Sequence, residues 1–115
     1  MKTARVPIRI VFYKEDGFWI AHCLEFSLLG HGKTKRSALS LLAKAIDIQV
    51  RATLDSGNIA NLFRAADPKY FWMYAKGSNV AAGSLSLPLT KFDCLKLAPS
   101  EYREFTDSEA ELALA

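Results

Sequence analysis

Arg5-Val6-Pro7-Ile8-Arg9-Ile10-Val11-Phe12-Tyr13-Lys14-Glu15-Asp16-Gly17-Phe18-Trp19-Ile20-Ala21-His22-Cys23 is the stretch whose reading decides the fold. Val6, Ile8, Ile10 and Phe12 alternate with Arg5, Pro7, Arg9, Val11 and Tyr13. A period of two places successive side chains on opposite faces, which defines a strand. Pro7 removes a ladder donor, so it suits the strand's entry or a sheet edge. Asp16-Gly17 between two β-rich runs signals a hairpin, because the favoured two-residue turn needs positive φ at both positions. A two-residue loop sets Phe12 opposite Ala21 and Ile10 opposite Cys23; a four-residue loop sets Phe12 opposite Trp19. The two registers differ by two residues, so both give the same faces. Ile8, Ile10, Phe12, Trp19, Ala21 and Cys23 form the predicted core face. Arg9, Val11, Tyr13, Phe18, Ile20 and His22 form an amphipathic second face.

Beyond the hairpin, a third short strand is expected at Leu28-Leu29-Gly30-His31-Gly32, with its glycines marking a bend or close backbone approach. Thr34 reads as an N-cap opening a helix from Lys35 to about Ser56, closed by Gly57. Its apolar stripe is read as Ala38, Leu41, Leu42, Ala45, Ile46, Ile48, Ala52 and Leu54. Asp67-Pro68 reads as an N-cap with proline in the first turn, and Gly77 as a stop. The short helix between them carries Tyr70, Phe71, Trp72, Met73 and Tyr74, which implies burial on most sides or by a partner. A further strand is expected from Ser84 to Leu89, and a frayed helix from Ser100 onward.

A chain of 115 residues, half of them hydrophobic and 23% charged, fits one folded domain rather than a disordered segment. That domain is expected over residues 1–90, with an extension beginning near 58 and an acidic tail over 91–115. No apolar run is long enough to span a bilayer, and the N-terminus leads into alternation rather than a signal peptide, so a cytoplasmic protein is expected. Cys23 and Cys94 are the only cysteines and read as reduced thiols. His22 and His31 show no ligand spacing with either, so neither a metal nor another cofactor is expected. Residues 1–51 hold nine Lys/Arg against four Asp/Glu, whereas the last fifteen hold five Asp/Glu against Arg103 alone. The basic half suits nucleic acid or an acidic partner, and the acidic end suits a basic partner.

The order of these pieces resembles the HicB antitoxin family. The resemblance rests on Glu15-Asp16-Gly17-Phe18-Trp19-Ile20-Ala21-His22-Cys23, on Gly30-His31-Gly32-Lys33-Thr34, and on the Ala-rich run from Ala38 to Ala45-Ile46. It covers roughly Val6 to Gly57. Leu24 stands where the family tends to have Pro, and Lys33 where it tends to have Asp. The resemblance implies an α+β fold built on a β-β-β-α-β unit, a pared-down ribonuclease H-like sheet with one long helix on one face. The short aromatic helix and a further strand would be added to it. It also implies an antitoxin of a type II toxin-antitoxin system, which binds and silences a small HicA-type mRNA-cleaving toxin.

An enzyme is not expected. A ribonuclease H-like site needs carboxylates converging on divalent metal, one of them in the first strand, and Val6 to Tyr13 holds none. Cys23 and His22 are strand neighbours and point to opposite faces, which rules them out as a nucleophile–base pair. The residues expected to meet a partner are Arg9, Tyr13, Phe18 and His22 on the second face, with Lys33, Lys35 and Arg36 at the helix entry. Cations in a first helical turn oppose the helix dipole, which invites an anionic partner there. No helix-turn-helix or other DNA-reading segment is recognised. A bare Val11–Ile20 face predicts a homo-oligomer built through the second half. The alternative reading is an RNA-binding or oligomeric scaffold module without a toxin partner.

Overall fold

A computed structural model describes residues 4–80 and 95–105 of the chain. In chain order these form β1 (Ala4–Glu15), β2 (Phe18–Cys23), β3 (Leu28–Gly32), α1 (Lys35–Asp55), a 3₁₀ turn (Ile59–Leu62), α2 (Pro68–Lys76), β4 (Ser78–Asn79) and β5 (Leu95–Glu104). The described strands make one mixed α+β sheet in the order β3-β2-β1-β5-β4, with β1 and β5 parallel and the other pairs antiparallel. No helix among the described residues is long and apolar enough to cross a membrane.

The hairpin takes the tighter of its two registers. Ile10 pairs with Cys23, Phe12 with Ala21 and Glu15 with Phe18, leaving Asp16 and Gly17 as the loop at φ 52° and 81°. Both central residues therefore sit in the left-handed region that a two-residue turn matching the sheet's twist demands. Ile8, Ile10, Phe12, Ala21 and Cys23 are buried under α1, against Ala38, Leu39, Leu42, Ala43, Ile46 and Val50, with Trp19 partly buried at the margin. Gly30 lets the helix settle this close: a Cβ there would collide with the Ala38 carbonyl oxygen and the Leu42 amide. Thr34 caps α1 reciprocally with Ser37. The Thr34 hydroxyl accepts from the Ser37 amide at 3.0 Å, and the Thr34 amide donates to the Ser37 hydroxyl at 3.1 Å.

The buried arc of α1 is rotated from the stripe read in the sequence. Leu39, Ala43, Val50 and Thr53 are buried, while Leu41 is exposed and Ile48 stands 68% exposed. The helix lies over β2 and β3, so positions 38, 39, 42, 43, 46, 50 and 53 face the sheet, and 41 and 48 look outward past its β3 edge.

The second face is filled from within the chain, which corrects the expectation that it stays bare. After α1 the chain passes Phe26 and Phe63, whose rings meet edge to face at 5.6 Å. Arg64 and Ala66 then donate backbone hydrogen bonds to the Glu25 and Leu24 carbonyls. Asp67 caps α2 by accepting from the Lys69 amide, and Gly77 ends that helix. Tyr70, Phe71, Met73 and Tyr74 pack over Val11, Tyr13, Ile20, Leu24, Ala66 and Phe105. Two helices thus sandwich one sheet. The argument for self-association through the Val11–Ile20 face lapses, because that surface is interior.

The end of the chain also departs from expectation. In place of a helix from Ser100, β5 runs through to Glu104 and lies beside β1, so part of the segment read as an acidic tail is a sheet strand. Leu97 pairs with Val6 and Tyr102 with Ile10, with a one-residue slip between Pro99 and Glu101. The expected strand at Ser84–Leu89, and Cys94, lie outside the described residues.

Candidate functional site

The seven residues expected to meet a partner separate into three environments. Tyr13 and His22 are interior. The Tyr13 hydroxyl and His22 Nδ1 share a 2.9 Å hydrogen bond, and the Tyr70 ring lies 4.2 Å from the His22 imidazole and 5.7 Å from the Tyr13 ring. His22 is 3% exposed and its Nε2 has no hydrogen-bond partner among the described residues. Burial, reinforced by the Lys69 charge, lowers the His22 pKa to about 4, so the ring is neutral at pH 7. Burial, then the neighbouring Tyr70 hydroxyl, holds the Tyr13 phenol well above its ordinary range. The pair is a packed polar contact between sheet and α2, and the expectation that it faces a partner is corrected.

Arg9 is committed within the chain. Its Nε donates to Glu25 Oε2 at 2.7 Å, its backbone N–H donates to Glu25 Oε1 at 2.6 Å, and its guanidinium lies 4.8 Å from the Phe71 centroid. It clamps the loop after β2 against α2. Lys35 likewise pairs with Glu104, and its ammonium lies 4.8 Å from the Trp19 centroid; Lys14 reaches the same ring at 5.0 Å. The cation in the first turn of α1 therefore ties that helix to the end of β5, which offsets its unfavourable position in the dipole.

Phe18, Lys33 and Arg36 remain on the surface. Phe18 is 42% exposed and meets His31 edge to face at 6.2 Å. His31 in turn lines an open groove of about 460 Å³ between the β3 edge and α1, with Thr34, Arg36, Ser37, Ser40, Leu41 and Lys44. Arg36 and Lys44 are the basic side chains that α1 contributes to this lining. Leu29, 46% exposed, stands two residues before His31 on the same face of β3. Sequence reasoning named Arg36 and missed His31, Ser40 and Lys44. Lys44 lies two turns beyond Arg36, and the helical repeat was the signal that would have joined them.

His22 and Cys23 do fall on opposite faces: Cys23 lies in the cluster beneath α1, with its thiol pushed up to about 12 by burial. Among the described residues no three His, Cys, Asp or Glu side chains converge as metal ligands would. Glu15 closes β1 at the exposed hairpin end, beside Asp16 of the turn. No family model matches the chain, and no significant match is found among curated proteins or solved structures.

Proposed function

We propose that this chain is a cytoplasmic, non-enzymatic antitoxin of the HicB kind, which neutralises a small basic HicA-type mRNA-cleaving toxin by direct binding. The observation that carries the reading is the structural use made of each motif behind the resemblance. Asp16-Gly17 closes a two-residue hairpin, Gly30 admits α1 against the sheet, and Thr34 caps that helix. The three motifs together frame a β-β-β-α unit, and β5 lies parallel beside β1, which supports the reading. A basic partner is complemented by the acidic end of the sequence, where Asp107, Glu109 and Glu111 follow Glu104.

The test is co-expression with the small basic protein encoded beside it, where one is encoded. The expected result is a stable complex and relief of the growth arrest that the basic protein causes alone. A triple Asp107→Lys, Glu109→Lys, Glu111→Lys variant should weaken that complex. Arrest that persists with both proteins soluble and uncomplexed sinks the reading. So does magnesium- or manganese-dependent RNA cleavage by the purified chain that disappears in an Asp16→Asn or Asp47→Asn variant.

A further inference from the structure

We infer that the outer edge of β3 is a docking site for an extended, acid-flanked apolar segment of a partner protein, which adds to the sheet as a further strand. The backbone register identifies the groups on offer. Glu15 and Phe18 close a two-residue hairpin and so exchange backbone hydrogen bonds, and antiparallel alternation gives Ile20 and His22 the same pairing with β1. Leu24 continues the series, its amide donating to the Arg9 carbonyl at 3.0 Å. Trp19, Ala21 and Cys23 therefore bond to β3 through Gly32, Gly30 and Leu28. That leaves Leu29 and His31 with their N–H and C=O groups turned outward. Natural edge strands are commonly blunted by lysine, proline or a bulge. Leu28-Leu29-Gly30-His31-Gly32 carries none of these, and its register against β2 is unbroken.

The surroundings of this edge choose the occupant. Leu29, 46% exposed, lies on the face opposite α1, and Leu41, 38% exposed, looks out past the edge from α1. His31 and Leu41 line the same open groove, so there is space beside the strand. Both faces of an added strand thus meet apolar surface. Lys33, directly after β3, and Lys44, one turn along α1 from Leu41, are exposed cations that suit acidic residues flanking the apolar stretch. Arg36, engaged within the chain, plays no part. A second copy of β3 is disfavoured by geometry. Side chains at Gly30 and Gly32 would collide with α1, so the helix lies directly over the strand. Two copies paired edge to edge would bring their helices to about 4.8 Å, against the roughly 8–10 Å that packed helices need. A lone extended segment brings no helix with it. The basic toxin proposed above is disfavoured by Lys33 and Lys44, so this site is separate from the acidic end assigned to it.

The experiment is selection of short random peptides from a displayed library against the full chain, followed by NMR of the isotope-labelled protein with a selected peptide. Enriched peptides should carry an uncharged apolar stretch with aspartate or glutamate at its flanks. Binding should slow exchange at the Leu29 and His31 amides and leave Gly30, already bonded to β2, unchanged. His31→Pro removes one outward donor at a position where an edge strand tolerates proline, and should weaken binding about tenfold. Leu29→Lys, which places a charge on the edge, serves if the proline perturbs the fold. Lys33→Glu with Lys44→Glu should turn the selected flanks from acidic to basic. Lys69→Glu with Lys76→Glu on α2 should leave binding unchanged. The inference is overturned if no peptide is enriched, or if a bound peptide leaves the Leu29 and His31 amides unprotected. It is equally overturned if His31→Pro and Leu29→Lys, both folded, bind like wild type. Protection of those two amides that rises with concentration in the free protein would also overturn it, because the occupant would then be a second copy. None of these readouts involves the toxin, so the two readings fail independently.

Discussion

Phe12 is the largest of the fully buried side chains among the described residues; it is enclosed between β2, β5 and α1 and lies 6.1 Å from the Tyr102 ring. Phe12→Ala should cost about 3–5 kcal/mol in chemical denaturation, a large share of the stability of a domain this size. His22 gives a second, pH-dependent test. Its folded pKa of about 4 lies below the ordinary value of 6.5, so the unfolded chain binds the proton more readily. Stability is complete above pH 6.5 and falls as pH drops through the window to about 4, by about 3 kcal/mol. Urea titrations across that window should show the loss, and His22→Gln should flatten it relative to wild type. A profile identical in both proteins would mean that carboxylates alone govern the acid limb. Period two made the faces of Phe12 and His22 legible in sequence. It could not show that His22 is interior, since the ring that covers it, Tyr70, arrives from a distant helix.

Hairpin, third strand and both helices were readable as elements because each carries its own start and stop chemistry: Asp16-Gly17, Thr34, Asp67-Pro68 and Gly77. Thr34→Ala should therefore cost about 1 kcal/mol through the lost cap. Gly30→Val should be far worse, because its Cβ meets backbone of α1 rather than a side chain able to move. Thermal melts of the two variants give the ranking, and equal shifts would mean that α1 does not press on β3 as described. β5 was illegible for a local reason. Its alternation runs through Leu95 and Leu97, then breaks at Pro99-Ser100, where the register slips before Tyr102 regains the core face. A bulge removes the periodicity by which a strand is recognised. The arc of α1 was misjudged for a different reason: helical spacing alone gave Leu41 and Ile48 the same standing as Leu42 and Ile46. Only the position of β3 beneath the helix separates them.

The whole molecule is a sheet closed on both sides, with β1 bonded along both edges and covered by α1 on one face and α2 on the other. Hydrogen exchange should accordingly be slowest at the amides of Val11 and Phe12 and faster along β3, whose outer edge is unpaired among the described strands. Faster exchange in β1 than in β3 would contradict this layering. The candidate site was only partly legible. Phe18, Lys33 and Arg36 are surface residues as expected, whereas Tyr13 and His22 needed tertiary packing to reveal their role, and Lys44 needed the groove. The pairing of β1 with β5 bears on how the chain is made. Tyr102 reaches its neighbour Ile10 across about ninety residues of sequence, so a chain under synthesis presents β1 with one edge open until those residues have been translated. The nascent hairpin then offers Val11 and Ile20 on an uncovered surface beside an unsatisfied strand edge, the combination that invites aggregation and chaperone capture.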